Sequence, residues 1–178
     1  MGKNRTFDLV LTGMLTALIV VTTMIVRIPM PYSNGYVHMG DAMIFVSVLV
    51  LGKKAGAFAA GTGSALADIL GGYAYYAPWT LVIKGLMGLV MGIALEHMKK
   101  RGATTDNGHM SLTELAAMTL AGLEMTAGYY LAAAVMQGSW VVPLMSIPGN
   151  IVQFTVGMVI AWVFAGALSR TPVRKYIC

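Results

Sequence analysis

The chain has 178 residues, of which 57% are hydrophobic and 11% charged, and its mean hydropathy of +0.73 excludes an ordinary soluble domain, where about a quarter of the residues carry charge. A net charge of +5 and a pI near 9.4 would suit nucleic acid, but the basic residues fall in short clusters between apolar runs, with no interleaved aromatics. That is the pattern of loops beside an anionic bilayer, so the expected partner is lipid rather than nucleic acid, and the class is a multi-span membrane protein. A single cysteine, Cys178, excludes an internal disulfide framework and a thiolate metal cluster.

Lys3 and Arg5 precede the first apolar run in the manner of a secretory signal, yet no small-x-small cleavage site follows, so an uncleaved first span is predicted over residues 8–26. Arg27, Pro29 and Pro31 end it, because proline cannot continue a helix and pushes its predecessor to extended geometry. Gly13 and Ala17, four apart, make a small-xxx-small face on this span. Such a face serves close packing within one chain or docking of a separate membrane partner.

A polar and aromatic outer loop, Tyr32 to His38, leads to a second span over 38–51 whose apolar core, Asp41 to Leu51, is short for a bilayer of about 30 Å. Either it begins near Val37 or the protein shields it. Gly52-Lys53-Lys54 is a basic turn that cannot sit in hydrocarbon, so the second and third spans form a hairpin with its lysines on one side and its open end on the other. The third span, 55–70, is rich in Gly, Ala and Ser and is expected inside the bundle. Gly71-Gly72 breaks it, and an aromatic loop runs to Trp79.

The fourth span, 78–96, has proline in its first turn, and Met98-Lys99-Lys100-Arg101 stops it. After the longest polar connection, through His109, come spans over 112–136 and 148–168. Residues 1–178 thus read as one all-α membrane domain of six transmembrane helices. The basic residues flank the terminal side, with Arg27 alone on the other, which puts both termini in the cytoplasm.

Asp68, Lys84 and Glu124 lie within predicted spans, and Asp41 lies at the outer mouth of the second. An unpaired charge at the bilayer centre costs about 3 kcal/mol or more, so these groups are expected to face the interior with partners. Lys84 with Asp68 or Glu124 is the pairing predicted first. Such a pair either fixes helix packing or meets a polar ligand. Asn34, Tyr36 and His38 come from the first outer loop, Tyr73, Tyr75, Tyr76 and Trp79 from the second, and Trp140, Asn150 and Gln153 from the third. Singly these aromatics are an interfacial belt; together with the amides they resemble the lining of a pocket for a flat small molecule.

No G-x-x-x-x-G-K-[ST], H-E-x-x-H or G-x-S-x-G is present, and His38, His97 and His109 fall on both sides of the membrane and cannot share a metal. A non-catalytic protein with no cofactor and no metal is expected. Energy for uphill transport must then come from ions or from a partner. A solitary ion-coupled carrier, with Asp68, Lys84 and Glu124 as its relay, is one class this admits.

The stretches Gly40-Asp41-Ala42-Met43, Leu51-Gly52-Lys53-Lys54-Ala55-Gly56, Gly63-Ser64-Ala65-Leu66-Ala67-Asp68 and Tyr76-Ala77-Pro78-Trp79 through Lys84-Gly85-Leu86-Met87-Gly88 resemble the substrate-binding S components of energy-coupling factor (ECF) vitamin transporters. The nearest branch is the one assigned to hydroxymethylpyrimidine or pyridoxine. The resemblance implies a multi-pass subunit of a prokaryotic plasma membrane, working with an energy-coupling transmembrane subunit and two cytoplasmic ATPases. The family's alanine-x-x-x-alanine docking face falls here on Gly13 and Ala17, the first being glycine rather than alanine. Binding residues are expected among Asn34, Tyr36, His38, Asp41, Tyr75, Trp79, Lys84, Glu124, Asn150 and Gln153. The same pocket chemistry would admit riboflavin or pantothenate.

Overall fold

The computed structural model describes residues 5–25, 27–29, 36–100 and 112–168. Among them are five helices, α1 Arg5–Ile25, α2 Gly40–Leu70, α3 Ala77–Lys100, α4 Leu112–Gln137 and α5 Ile147–Leu168. A two-stranded antiparallel ribbon, β1 Arg27–Pro29 and β2 Tyr36–His38, joins α1 to α2, and a 3-10 turn at Val142–Ser146 leads into α5.

α2 is two arms rather than one rod. At Gly52 the backbone takes φ 76° and ψ −178°, a conformation that glycine enters without steric cost. A Cβ added at Gly56 would stand 2.7 Å from the Cα of Val48; eight residues of continuous helix would hold those two positions about 12 Å apart. The chain therefore doubles back at the basic turn, and the arms before and after Gly52 supply two of six helical segments.

The first arm starts at Gly40, and His38 belongs to the ribbon, where it pairs with Arg27. At about 18 Å from Gly40 to Leu51 the arm is far short of a bilayer's apolar thickness. Protein shields it: Gly40 through Leu49 are all buried.

The remaining helices pack around this hairpin at close range. α3 runs antiparallel to the second arm, where a Cβ at Gly61, Gly88 or Gly92 would strike Leu81 O, Ala57 Cα or Lys53 Cα at 2.7, 2.8 and 2.5 Å. α1 lies along the same arm through Ile19 and Thr16, which face Gly63. α4 meets α3 where Gly128 faces Ile83, and α5 where Gly122 faces Phe154. α5 in turn presses Gly157 onto Asp41 and Ala42. Phe45, Ile44, Met87, Met91, Met118 and Met125 fill the centre, fully buried.

The outward faces are apolar too, with Leu9, Ile25, Leu70, Leu131 and Val163 more than half exposed. Four described stretches are long and apolar enough to cross a membrane: Arg5–Ile25, Gly40–Leu70, Ala77–Lys100 and Val142–Ala167. α4 carries Glu114 and Glu124 and is not among them.

Candidate ligand-binding site

The polar centre of the bundle is a chain of contacts that begins on Lys84. Lys84 is fully buried on α3 and pairs with Asp41, itself fully buried at the start of α2. The carboxylate beside Lys84 is therefore that of Asp41, not Asp68 or Glu124, and Asp41 sits inside the protein rather than at its mouth. Helix α2 begins one residue before Asp41 and faces α3, so helix register, not proximity in sequence, decides the pairing. The Lys84 ammonium also touches Sδ of Met125 on α4 and, at 3.9 Å, Sδ of Met87, and lies 5.5 Å from the ring centroid of Tyr129. Its three N–H groups are thus met by a carboxylate and two sulfurs, beneath an aromatic face.

Gln153 on α5 continues the chain. Its Nε2 donates to Oδ2 of Asp41 at 3.0 Å, and its Oε1 accepts the backbone N–H of His38 at 3.1 Å. His38 Nδ1 accepts the N–H of Gly40 at 3.1 Å, which satisfies one of the orphan donors at the start of α2. Loss of water on burial pulls the His38 imidazole down to about 4; Asp41 opposes this, while Lys84 and Arg27 reinforce it. The ring is neutral at pH 7 and keeps Nδ1 as an acceptor.

Asp41, Lys84, His38 and Gln153 are thus brought into one buried network spanning β2, α2, α3 and α5, with Asn150 buried one turn before Gln153 on α5. Glu124 makes no hydrogen bond to it through Oε2. On α4 it borders the exposed Leu120 and Leu123, one turn from the Gly128 that packs on Ile83; its Oε2 is enclosed, with no hydrogen-bond partner among the described residues. Trp79 is exposed in the first turn of α3 and Tyr75 in the α2–α3 connection, where Tyr75 and Tyr76 pack ring to ring at 4.6 Å. Asn34 lies outside the described residues, as does the side chain of Tyr36.

Sequence reasoning did not find Met125, Tyr129 or Thr80, whose Oγ1 lies 3.3 Å from the Tyr129 hydroxyl. Thr80 and Met87 carry a readable signal, being four residues before and three after Lys84 on one helix face. The α4 partners carry none, because the register of α4 against α3 is set by packing alone.

A solved S component for biotin from an ECF-type ABC transporter has the same fold, with a TM-score of 0.74, 17% identity and coverage of 100% of this chain and 99% of that one. The S component of a bacterial ECF transporter matches at TM-score 0.67 and 18% identity, over 93% of this chain and 97% of that one. A family model described as ECF-type riboflavin transporter, S component, matches residues 3–170. The chain belongs to this family of membrane-embedded transporter subunits. Among its relatives are the thiamine precursor transporter HmpT of Lactococcus lactis, 28% identical over 174 residues, 97% of this chain and 94% of that protein. An uncharacterised protein of Pyrococcus woesei is 42% identical over 120 residues, 67% of this chain and 74% of that protein.

Proposed function

We propose that the chain is the substrate-binding subunit of an ATP-driven ECF importer and takes a small, flat, hydroxymethyl-bearing heteroaromatic compound of the hydroxymethylpyrimidine or pyridoxine type from outside the cell. The observation that carries this reading is the nearly full-length likeness to a thiamine precursor transporter, at 28% identity. The site is compatible with it. Asp41, Lys84 and Gln153 are occupied by one another, and we assign the contacts to ring nitrogens or hydroxyls to Asn150, buried on α5, and to Oε2 of Glu124, which has no hydrogen-bond partner among the described residues. The riboflavin reading rests on the wording of the matching family description.

Six spans with cytoplasmic termini fit the six helical segments, with Lys53, Lys99 and Lys100 at one end of the bundle and the ribbon at the other. Partner docking falls to α1: among the described residues nothing outside this helix lies within 4 Å of a Cβ added at Gly13, and Ala17 is exposed beside it. A face built for internal packing would be covered. The coupling subunit and two ATPases would supply the energy. An ion relay through Asp68, Lys84 and Glu124 is disfavoured, because Lys84 is committed to Asp41.

The test is a calorimetric binding screen of the purified chain against hydroxymethylpyrimidine, pyridoxine, riboflavin and pantothenate. Binding of hydroxymethylpyrimidine or pyridoxine is expected, with no uptake by liposomes holding the chain alone. Binding of riboflavin alone would overturn the ligand assignment, and ion-driven uptake by the lone chain would overturn the subunit reading.

A further inference from the structure

We propose that Gln153 is a positioning residue that clamps the outer ribbon to the buried ion pair and thereby sets the rate at which ligand leaves. The inference rests on the functional reading above, in which ligand enters and leaves at the ribbon's end of the bundle. Gln153 is 3% exposed and uses both ends of its amide, Oε1 on the His38 N–H and Nε2 on Asp41. That pairing fixes the amide's orientation, since a flip would oppose two N–H groups and two acceptors.

The two strands of the ribbon are rooted differently, although Arg27 and His38 are register partners across it. β1 is held by the Arg27 guanidinium, whose Nη2, Nη1 and Nε donate to the carbonyls of Ala67, Gly71 and Thr23 at 3.2, 3.3 and 3.3 Å. These bonds are charge-assisted, and Arg27 also complements the negative end of α2. β2 is tied to α5 by the neutral bond from His38 to Gln153, and a neutral bond has roughly half the strength of a charge-assisted one. In this proposal the ribbon first separates from the bundle between β2 and α5, where a neutral bond stands against the three charge-assisted ones of β1. Asn150 is one turn from Gln153 on α5, so the gap that opens lies beside the residue expected to hold ligand. The ion pair gives the clamp a fixed base: Gln153 cannot follow the ribbon without leaving Asp41.

The test is Gln153→Met in lipid nanodiscs, a change of similar volume that removes both bonds. With hydroxymethylpyrimidine as the probe, stopped-flow tryptophan fluorescence is expected to show dissociation faster by about tenfold and association within roughly twofold of the parent, the effect of losing the bond that reaches the ribbon. In a purely structural role the folded fraction would keep its dissociation rate, and that result would overturn the proposal. Hydrogen exchange supplies a ligand-independent reading. The His38 amide should be protected in the ligand-free parent and lose protection in the variant while α2 and α3 keep theirs; an unprotected His38 amide in the parent would refute the clamp. Should Gln153→Met not fold, Gln153→Asn, which keeps the amide but withdraws it from His38, is read by the same two measurements. Failure of hydroxymethylpyrimidine to bind the parent would remove the ligand assignment, and exchange at His38 would still decide the clamp.

Discussion

Replacing Lys84 by methionine tests whether Asp41 is ionised and held inside the bundle. The two side chains are both fully buried, and methionine fills nearly the volume of the lysine stem, so the change removes charge without opening a large cavity. What remains is a carboxylate with Gln153 as its neutral partner, shut off from water. Breaking one side of a buried pair costs about 3–5 kcal/mol, because the surviving charge keeps its desolvation penalty and loses its compensation. For a chain of this size each kcal/mol moves the melting temperature by about 2–4 °C, so a fall of roughly 6–20 °C is expected in detergent. The double variant Lys84→Met with Asp41→Asn removes both charges, and the asparagine carbonyl still accepts from Gln153. It should return to within about 2 kcal/mol of the parent and keep ligand binding. A single variant as stable as the parent, or a double variant no better than the single, would refute an ionised internal pair. A folded double variant without ligand affinity would instead make the pair part of the binding surface.

Three further outcomes follow from the same geometry. His38 titrates near 4 when folded and near 6.5 when unfolded, so the unfolded chain binds more protons between those values. Stability should therefore fall by about 3 kcal/mol as pH drops from 6.5 to 4, and His38→Gln should flatten that slope in melting curves taken across the window. Gly13→Leu should abolish co-purification with the coupling subunit and leave ligand affinity unchanged, since among the described residues nothing outside its own helix lies within 4 Å of an added Cβ there; joint loss of both would mean that the face is internal. Glu124→Gln should weaken ligand binding about tenfold if its free oxygen meets the ligand, whereas unchanged affinity with a lower melting temperature would assign the acid to helix packing.

What could be read from the sequence and what could not divide along the range of the interaction involved. The reversal at Gly52 was legible because its causes are local: a glycine able to take positive φ, followed by two lysines that hydrocarbon will not accept. The small residues of 55–70 likewise announce a close-packed arm: another backbone leaves no room for a Cβ at Gly56 or Gly61, and Ile19 and Thr16 crowd the position at Gly63. The charges were legible only as a set. Asp68 and Glu124 are the partners the sequence suggests for Lys84, with Asp41 set at the outer mouth, and the actual choice of Asp41 depends on how far α3 slides along α2, which no pattern within either helix records. The same limit hid Tyr36–His38, whose strand exists because it pairs with Arg27–Pro29 across a loop. It is at these junctions that the buried network forms. A lysine on α3, an acid on α2, an amide on α5 and a backbone N–H on β2 are each ordinary alone, and become a site because the shielded arm brings the start of α2 against three other elements. The short arm that looked too small to cross a bilayer is thus what makes an interior polar centre possible: its backbone is paired within the helix, its surroundings are protein, and Asp41 at its start is met by partners that lipid could not supply.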